Sequence, residues 1–186
     1  MDISTTTKLP SYACVIDNAL PQDVCDILIN QFVSSDNTKR VDLLGYPTFT
    51  ELNLNDDYPE YVGGLVDYTR DVLNVYKNHF GNVTEYLPSF KRLEGFRIKR
   101  YNEQSDDRFD THVDVASIPA CPRALSFLYY LNDGFEGGET HFEGWPPLTP
   151  QRGSVLVFPP YWMFPHAGLP VQSGTKYIMS TYLHIE

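Results

Sequence analysis

Apolar positions give the chain two textures. Before about residue 80 they fall mostly at helical spacing, and after about residue 90 in short extended runs. Residues 12–16 read as a first strand. Pro21-Gln22-Asp23 then opens a helix, with proline suited to a first turn and an acid near the N-terminus. Val24, Ile27, Leu28, Gln31 and Phe32 carry that helix to about Val33. Residues 34–40 form a polar loop, and 41–59 are turn-rich with no clear period. A second helix is predicted over 60–80, with Val62, Leu65, Val66, Leu73 and Tyr76 as its apolar stripe and Gly81 at its C-cap. Both helices read as structural support.

Extended runs follow at 93–101, 111–115, 123–131, 139–142, 154–158, 166–171 and 175–185, broken by turn-like separators such as Asn132-Asp133-Gly134 and Ser173-Gly174. Regularly spaced strands of this kind predict a jelly roll or barrel. The expected fold is therefore α+β, mainly β. It is read as one domain over 1–186, with helical support at about 20–80 and the β core at about 90–185.

Composition narrows the partners. The 13 Tyr, 11 Phe and 2 Trp suit pleated surfaces. A net charge of −10 opposes phosphate backbones, so no nucleic-acid partner is expected, and basic or neutral substrates fit better than polyanions. The local basic cluster is Lys91-Arg92 with Arg97 to Arg100. At period 2, Arg97 and Lys99 share one face, which reads as a solvated strand face. Three widely spaced cysteines argue against a disulfide framework. With neither a signal-peptide pattern nor an apolar run long enough to span a membrane, the chain reads as cytoplasmic, with no membrane partner, as a monomer or homodimer.

The candidate chemistry starts from five histidines. Three of them form His-x-acid pairs: His112/Asp114, His141/Glu143 and His184/Glu186. In an extended segment such a pair faces one side and could share a metal ion. Two imidazoles and one carboxylate would leave the ion's other positions open, as in non-haem iron oxygenases. Glu186 ends the sequence, and His141/Glu143 turn outward if Thr140 and Phe142 turn in. His112/Asp114 lies where a loop meets a strand, with His166 and Lys176 downstream, and is therefore favoured.

These residues carry a resemblance. His112-x-Asp114, Arg123 to Asn132, Gly137-Gly138-Glu139-Thr140-His141-Phe142, Pro150 to Phe158, His166 to Val171 and Gly174-Thr175-Lys176-Tyr177 occur in that order. Together they resemble the catalytic domain of the prolyl 4-hydroxylase family of Fe(II)/2-oxoglutarate dioxygenases, built on a double-stranded β-helix (jelly roll). The match covers roughly 93–185, and Leu20 to Ile29 resembles the family's first helix.

The resemblance implies an iron(II) site at His112, Asp114 and His166, with O2 as oxidant and ascorbate as reductant. It implies 2-oxoglutarate held by Lys176 and Tyr130 at its distal carboxylate, by Tyr101 near its chelating end and by Thr140 in the pocket wall. Arg123 and His184 match residues that face a peptide substrate. Two positions depart from the family. Phe109 stands where tyrosine is common and Tyr182 where tryptophan is, both on the substrate side. The expected activity is hydroxylation of an unactivated C–H, most simply of proline in a peptide or protein. The alternatives are a hydroxylase of a free amino acid or other small metabolite, and a non-catalytic jelly-roll binding module.

Overall fold

In the computed structural model the described residues are 1–4, 8–43, 47–87, 92–149 and 151–185; Lys91, Pro150 and Glu186 lie outside them. Two long helices form near their expected positions, with shifted buried stripes. α1 (Gln22–Ser34) starts after Pro21 and turns Cys25, Leu28 and Phe32 inward, leaving Ile27 exposed. α2 (Leu54–Asp57) is a single turn capped by the Asn53 side chain. α3 (Pro59–Phe80) buries Leu65, Thr69, Val72, Leu73 and Tyr76. It ends at Gly81, whose N–H still bonds the Lys77 carbonyl and whose φ of 59° turns the chain out of the helix.

The strands are β1 (Asp2–Ile3), β2 (Cys14–Asp17), β3 (Lys39–Asp42), β4 (Thr48–Asn53), β5 (Arg97–Asn102), β6 (Phe109–His112) and β7 (Arg123–Tyr130). They continue with β8 (Glu136–Gly137), β9 (Thr140–Phe142), β10 (Val155–Phe158), β11 (His166–Gly168), β12 (Val171–Ser173) and β13 (Thr175–His184). All pair antiparallel. A large sheet runs β1-β2-β10-β7-β13-β5-β4-β3, a small one runs β6-β11-β9, and β8 pairs with β12. This is a jelly roll with supporting helices.

The large sheet separates two cores. On one face Phe127, Tyr129 and Met179 pack on Leu28, Phe32 and Leu73 of the helices. The buried Tyr129 hydroxyl meets the Thr69 hydroxyl at 2.8 Å, which ties α3 to β7. On the other face Tyr101, Tyr130, Phe158 and Ile178 meet Phe142 of the small sheet. Because both faces are covered, β7 and β13 are buried almost throughout instead of alternating with solvent.

The β3–β4 hairpin corrects the turn-rich reading of 41–59. In β4, Phe49 faces the site side and Leu52 the helix side, so one apolar residue per face leaves no visible period. The run expected over 111–115 ends as a strand at His112, so Asp114 reaches the site from the following turn. The run 166–171 divides into β11 and β12.

Candidate active site

His112 ends β6 and His166 opens β11, and the two strands pair these residues directly opposite each other. With Asp114 they form a cluster whose candidate ligand atoms all lie within 4.8 Å of one another. Each imidazole is oriented from behind. The Nδ1 of His112 lies 2.8 Å from the Asp110 carbonyl, and the Nδ1 of His166 lies 3.0 Å from the Phe164 carbonyl. A carbonyl only accepts, so both Nδ1 atoms donate, and in the neutral ring this tautomer leaves the Nε2 lone pair for a metal.

The carboxylate is divided in the same way. Oδ1 of Asp114 accepts from the Tyr182 hydroxyl at 3.0 Å, whereas the buried Oδ2 has no hydrogen-bond partner among the described residues. Oδ2 lies 3.9 Å from His166 Nε2, and Oδ1 lies 3.6 Å from His112 Nε2. Burial alone would raise this carboxyl, but His112 and His166 beside it hold it at about 2. Burial also depresses His166, against the pull of Asp114. An ionised carboxylate facing two imidazole Nε2 atoms, with one oxygen unsatisfied, is a donor set that fits a divalent iron ion.

Lys176 of β13 lies directly opposite Tyr101 of β5 and is buried. Its ammonium donates to the Gly138 carbonyl at 2.5 Å and lies 5.4 and 5.7 Å from the ring centres of Tyr101 and Tyr130. Gly138 has φ +65°, and a Cβ there would approach Val171 to 3.0 Å and the Lys176 side chain to 3.3 Å, so the turn that delivers this carbonyl requires glycine. Burial lowers Lys176 to about 8, with only Glu139 pulling upward. The Tyr130 and Thr140 hydroxyls are 2.8 Å apart in the same wall. A buried ammonium that makes no ion pair among the described residues, beside paired hydroxyls, fits the distal end of a dicarboxylate.

The residues expected to face substrate are engaged within the protein. Arg123 grips Glu94 with two bonds of 2.7 and 2.9 Å, donates to the Asp114 carbonyl at 3.1 Å and lies 3.9 Å over the Tyr182 ring. His184 reaches the same Glu94 at 3.1 Å. Phe109 stacks on His112, with ring centres 3.5 Å apart and planes within 7°. Both departures from the family pattern, Phe109 and Tyr182, therefore touch candidate metal ligands. His141 stays outside the cluster, half-buried between the buried Thr140 and Phe142.

Sequence reasoning missed Glu94 and Lys99. Lys99 lines the pocket with Tyr101, His112 and Asp114, so the face it shares with Arg97 is a wall of the site and not a solvated strand face. Strand parity could have found it, because Tyr101, two residues on, had already been assigned to the site. Nothing in the sequence singles out Glu94.

Residues 96–184 match the family model described as the 2OG-Fe(II) oxygenase superfamily. A curated relative from Acanthamoeba polyphaga mimivirus, "Putative prolyl 4-hydroxylase", is 31% identical over 113 residues, 54% of this chain. The match spans 42% of that relative's length. The viral collagen prolyl hydroxylase of Paramecium Bursaria Chlorella virus-1, solved as a 2OG complex, is similar with a TM-score of 0.67 and 25% identity, covering 92% of this chain and 95% of that one. A Trichoplax adhaerens prolyl hydroxylase, solved with a hypoxia inducible factor peptide, shares the fold with a TM-score of 0.74 and 16% identity, over 92% of this chain and 83% of that one.

Proposed function

We propose that the protein, whose residues 96–184 match the model of the 2OG-Fe(II) oxygenase superfamily, is an Fe(II)- and 2-oxoglutarate-dependent dioxygenase that hydroxylates an unactivated C–H, with proline in a peptide or protein as the leading substrate. The observation that carries this reading is the unsatisfied Oδ2 of Asp114 beside two imidazole Nε2 atoms, in the same pocket as a buried lysine with no paired carboxylate among the described residues. When bound, iron supplies the oxygen-activating chemistry, and the balance is R–H + O2 + 2-oxoglutarate → R–OH + succinate + CO2.

The chain's own residues prepare that reaction. His112, Asp114 and His166 hold the metal, with tautomer and rotamer fixed by the Asp110 and Phe164 carbonyls and the Tyr182 hydroxyl. Lys176, Tyr130 and Thr140 take the distal carboxylate. Phe109, Tyr101 and Ile178 keep the pocket apolar between these ends and exclude water. Ascorbate as reductant belongs to the same proposal.

The test is anaerobic addition of Fe(II) and 2-oxoglutarate, watched for the visible charge-transfer band of the chelate. Oxygen and a proline-rich peptide panel follow, with succinate and a one-oxygen mass gain as readouts. His112→Ala should abolish band and succinate, while His141→Ala should keep most of both. The reverse result would sink the ligand assignment.

A further inference from the structure

The pocket holds a second lysine for which the cofactor and co-substrate leave no role. Lys99 sits on β5, on the same face as Tyr101 and about 6.7 Å along the strand from it. Its partner across β13 is Ile178, whereas Lys176 lies opposite Tyr101. Lys99 therefore stands one step from the co-substrate end toward Arg97 and Tyr182. Among the described residues its ammonium makes no hydrogen bond or ion pair. It lies 5.1 Å over the Phe49 ring, directly opposite Glu51 of β4 and near Asp114, with an ion pair to neither.

The neighbouring cations are committed elsewhere. Arg97 pairs with Glu94 at 3.2 Å and Glu51 at 3.8 Å, and Arg123 is held by Glu94. Arg97, Lys99 and Arg123 against Glu51 and Glu94 give 3 − 2 = +1 on this wall, in a chain of net charge −10. Lys39, opposite Glu51 on β3, is exposed and adds no anion. Asp114 brings the local sum to 3 − 3 = 0, but its carboxylate is directed at Tyr182 and the two imidazoles and makes no ion pair with Lys99. A lysine drawn into a pocket without an anion paired to it is a cost to the fold that a bound anion would remove.

We propose that Lys99 binds a carboxylate of the substrate, so that the preferred substrate carries an acidic group beside the carbon to be hydroxylated. This rests on the dioxygenase reading and narrows its substrate class. The carboxylate belongs either to a free amino acid or to an acidic residue next to the target in a peptide.

The experiment is an equilibrium titration of protein loaded with Mn(II) and 2-oxoglutarate, which binds without turning over. The probes are two matched pairs: L-proline with L-prolinamide, and a blocked Asp-Pro-Gly peptide with its Asn-Pro-Gly counterpart. The acidic member of one pair should bind about tenfold more tightly than the neutral one, as a charge-assisted hydrogen bond requires. The first pair identifies a free amino acid and the second an acidic peptide. The preference should persist in Lys99→Arg and vanish in Lys99→Met, whose melting temperature should equal or exceed that of the parent.

Absence of acid preference in both pairs, or its survival in Lys99→Met, overturns the proposal. Weakened 2-oxoglutarate binding by Lys99→Met would assign the lysine to the co-substrate, and a clear drop in melting temperature would assign it to a structural pair with Glu51; either overturns it too. A wild-type protein that binds no 2-oxoglutarate fails in a separate titration, and that failure takes the dioxygenase reading and this proposal together. Intact 2-oxoglutarate binding without acid preference sinks Lys99 alone.

Discussion

Tyr182 selects which oxygen of Asp114 remains available. Its hydroxyl occupies Oδ1 at 3.0 Å, and its own ionisation is pushed well above the usual tyrosine range by burial and by Asp114, so it stays a donor. Tyr182→Phe should weaken Mn(II) binding by about tenfold, the lower end for losing a partner of a metal ligand. The measurement is a Mn(II) titration without 2-oxoglutarate, and an unchanged affinity would reduce Tyr182 to packing. Lys176 makes a pH prediction. Burial lowers it from 10.5 to about 8 in the ligand-free protein, so it is protonated and able to take an anion below that value. Affinity for 2-oxoglutarate should be level below pH 8 and fall by up to about tenfold per pH unit above it. The sign for folding is opposite, because the buried charge costs stability below pH 8 and that cost fades as pH rises toward 10.5. A level 2-oxoglutarate affinity through this range would remove Lys176 from the co-substrate site. At this scale the sequence was legible where a motif repeats a family pattern, as at His112, Asp114, His166 and Lys176. At Lys99 it was legible only through strand parity with Tyr101, because the sequence does not show which face of β5 is covered.

The ends of three strands meet at Glu94, just before β5. Its carboxylate joins Arg123 of β7, His184 of β13 and Arg97 of β5, and its carbonyl accepts from the Thr181 hydroxyl at 2.7 Å. Burial opposes ionisation, but the bonds from Arg123, His184 and Arg97 outweigh it and hold this carboxyl at about 2, against an ordinary 4.5. A lowered folded-state value means stabilisation that is present above 4.5 and lost as pH falls toward 2. Glu94→Gln should therefore melt lower than the parent at neutral pH, and the gap should close between those two values; a gap independent of pH would exclude the ionic contribution. Element boundaries were legible where one face meets solvent or one stripe meets a core, as in α3. The β3–β4 hairpin was not, because Phe49 and Leu52 serve opposite faces of a sheet covered on both sides.

Across the whole molecule, the two candidate metal-binding histidines and the candidate co-substrate residues other than Thr140 of β9 belong to different sheets. His112 and His166 lie on the small sheet, whereas Tyr101, Tyr130 and Lys176 lie on the large one. Metal alone would therefore brace the small sheet and the turn that carries Asp114. The dicarboxylate, chelating at one end and meeting Lys176 at the other, would connect the two sheets. Binding to the folded state alone stabilises by about 2.7 kcal/mol at a hundred times Kd, which for a domain of this size raises the melting temperature by about 5–10 °C. Mn(II) followed by 2-oxoglutarate should thus raise Tm in two steps in the parent. His112→Ala should lose both steps, since the co-substrate chelates through the metal, while Lys176→Met should keep the first and lose most of the second. This pattern separates the two halves of the site without turnover. A second step preserved in Lys176→Met would mean that 2-oxoglutarate is held by the metal alone and that the sheets are not bridged. Equal shifts in His112→Ala would move the metal out of the jelly roll's mouth altogether.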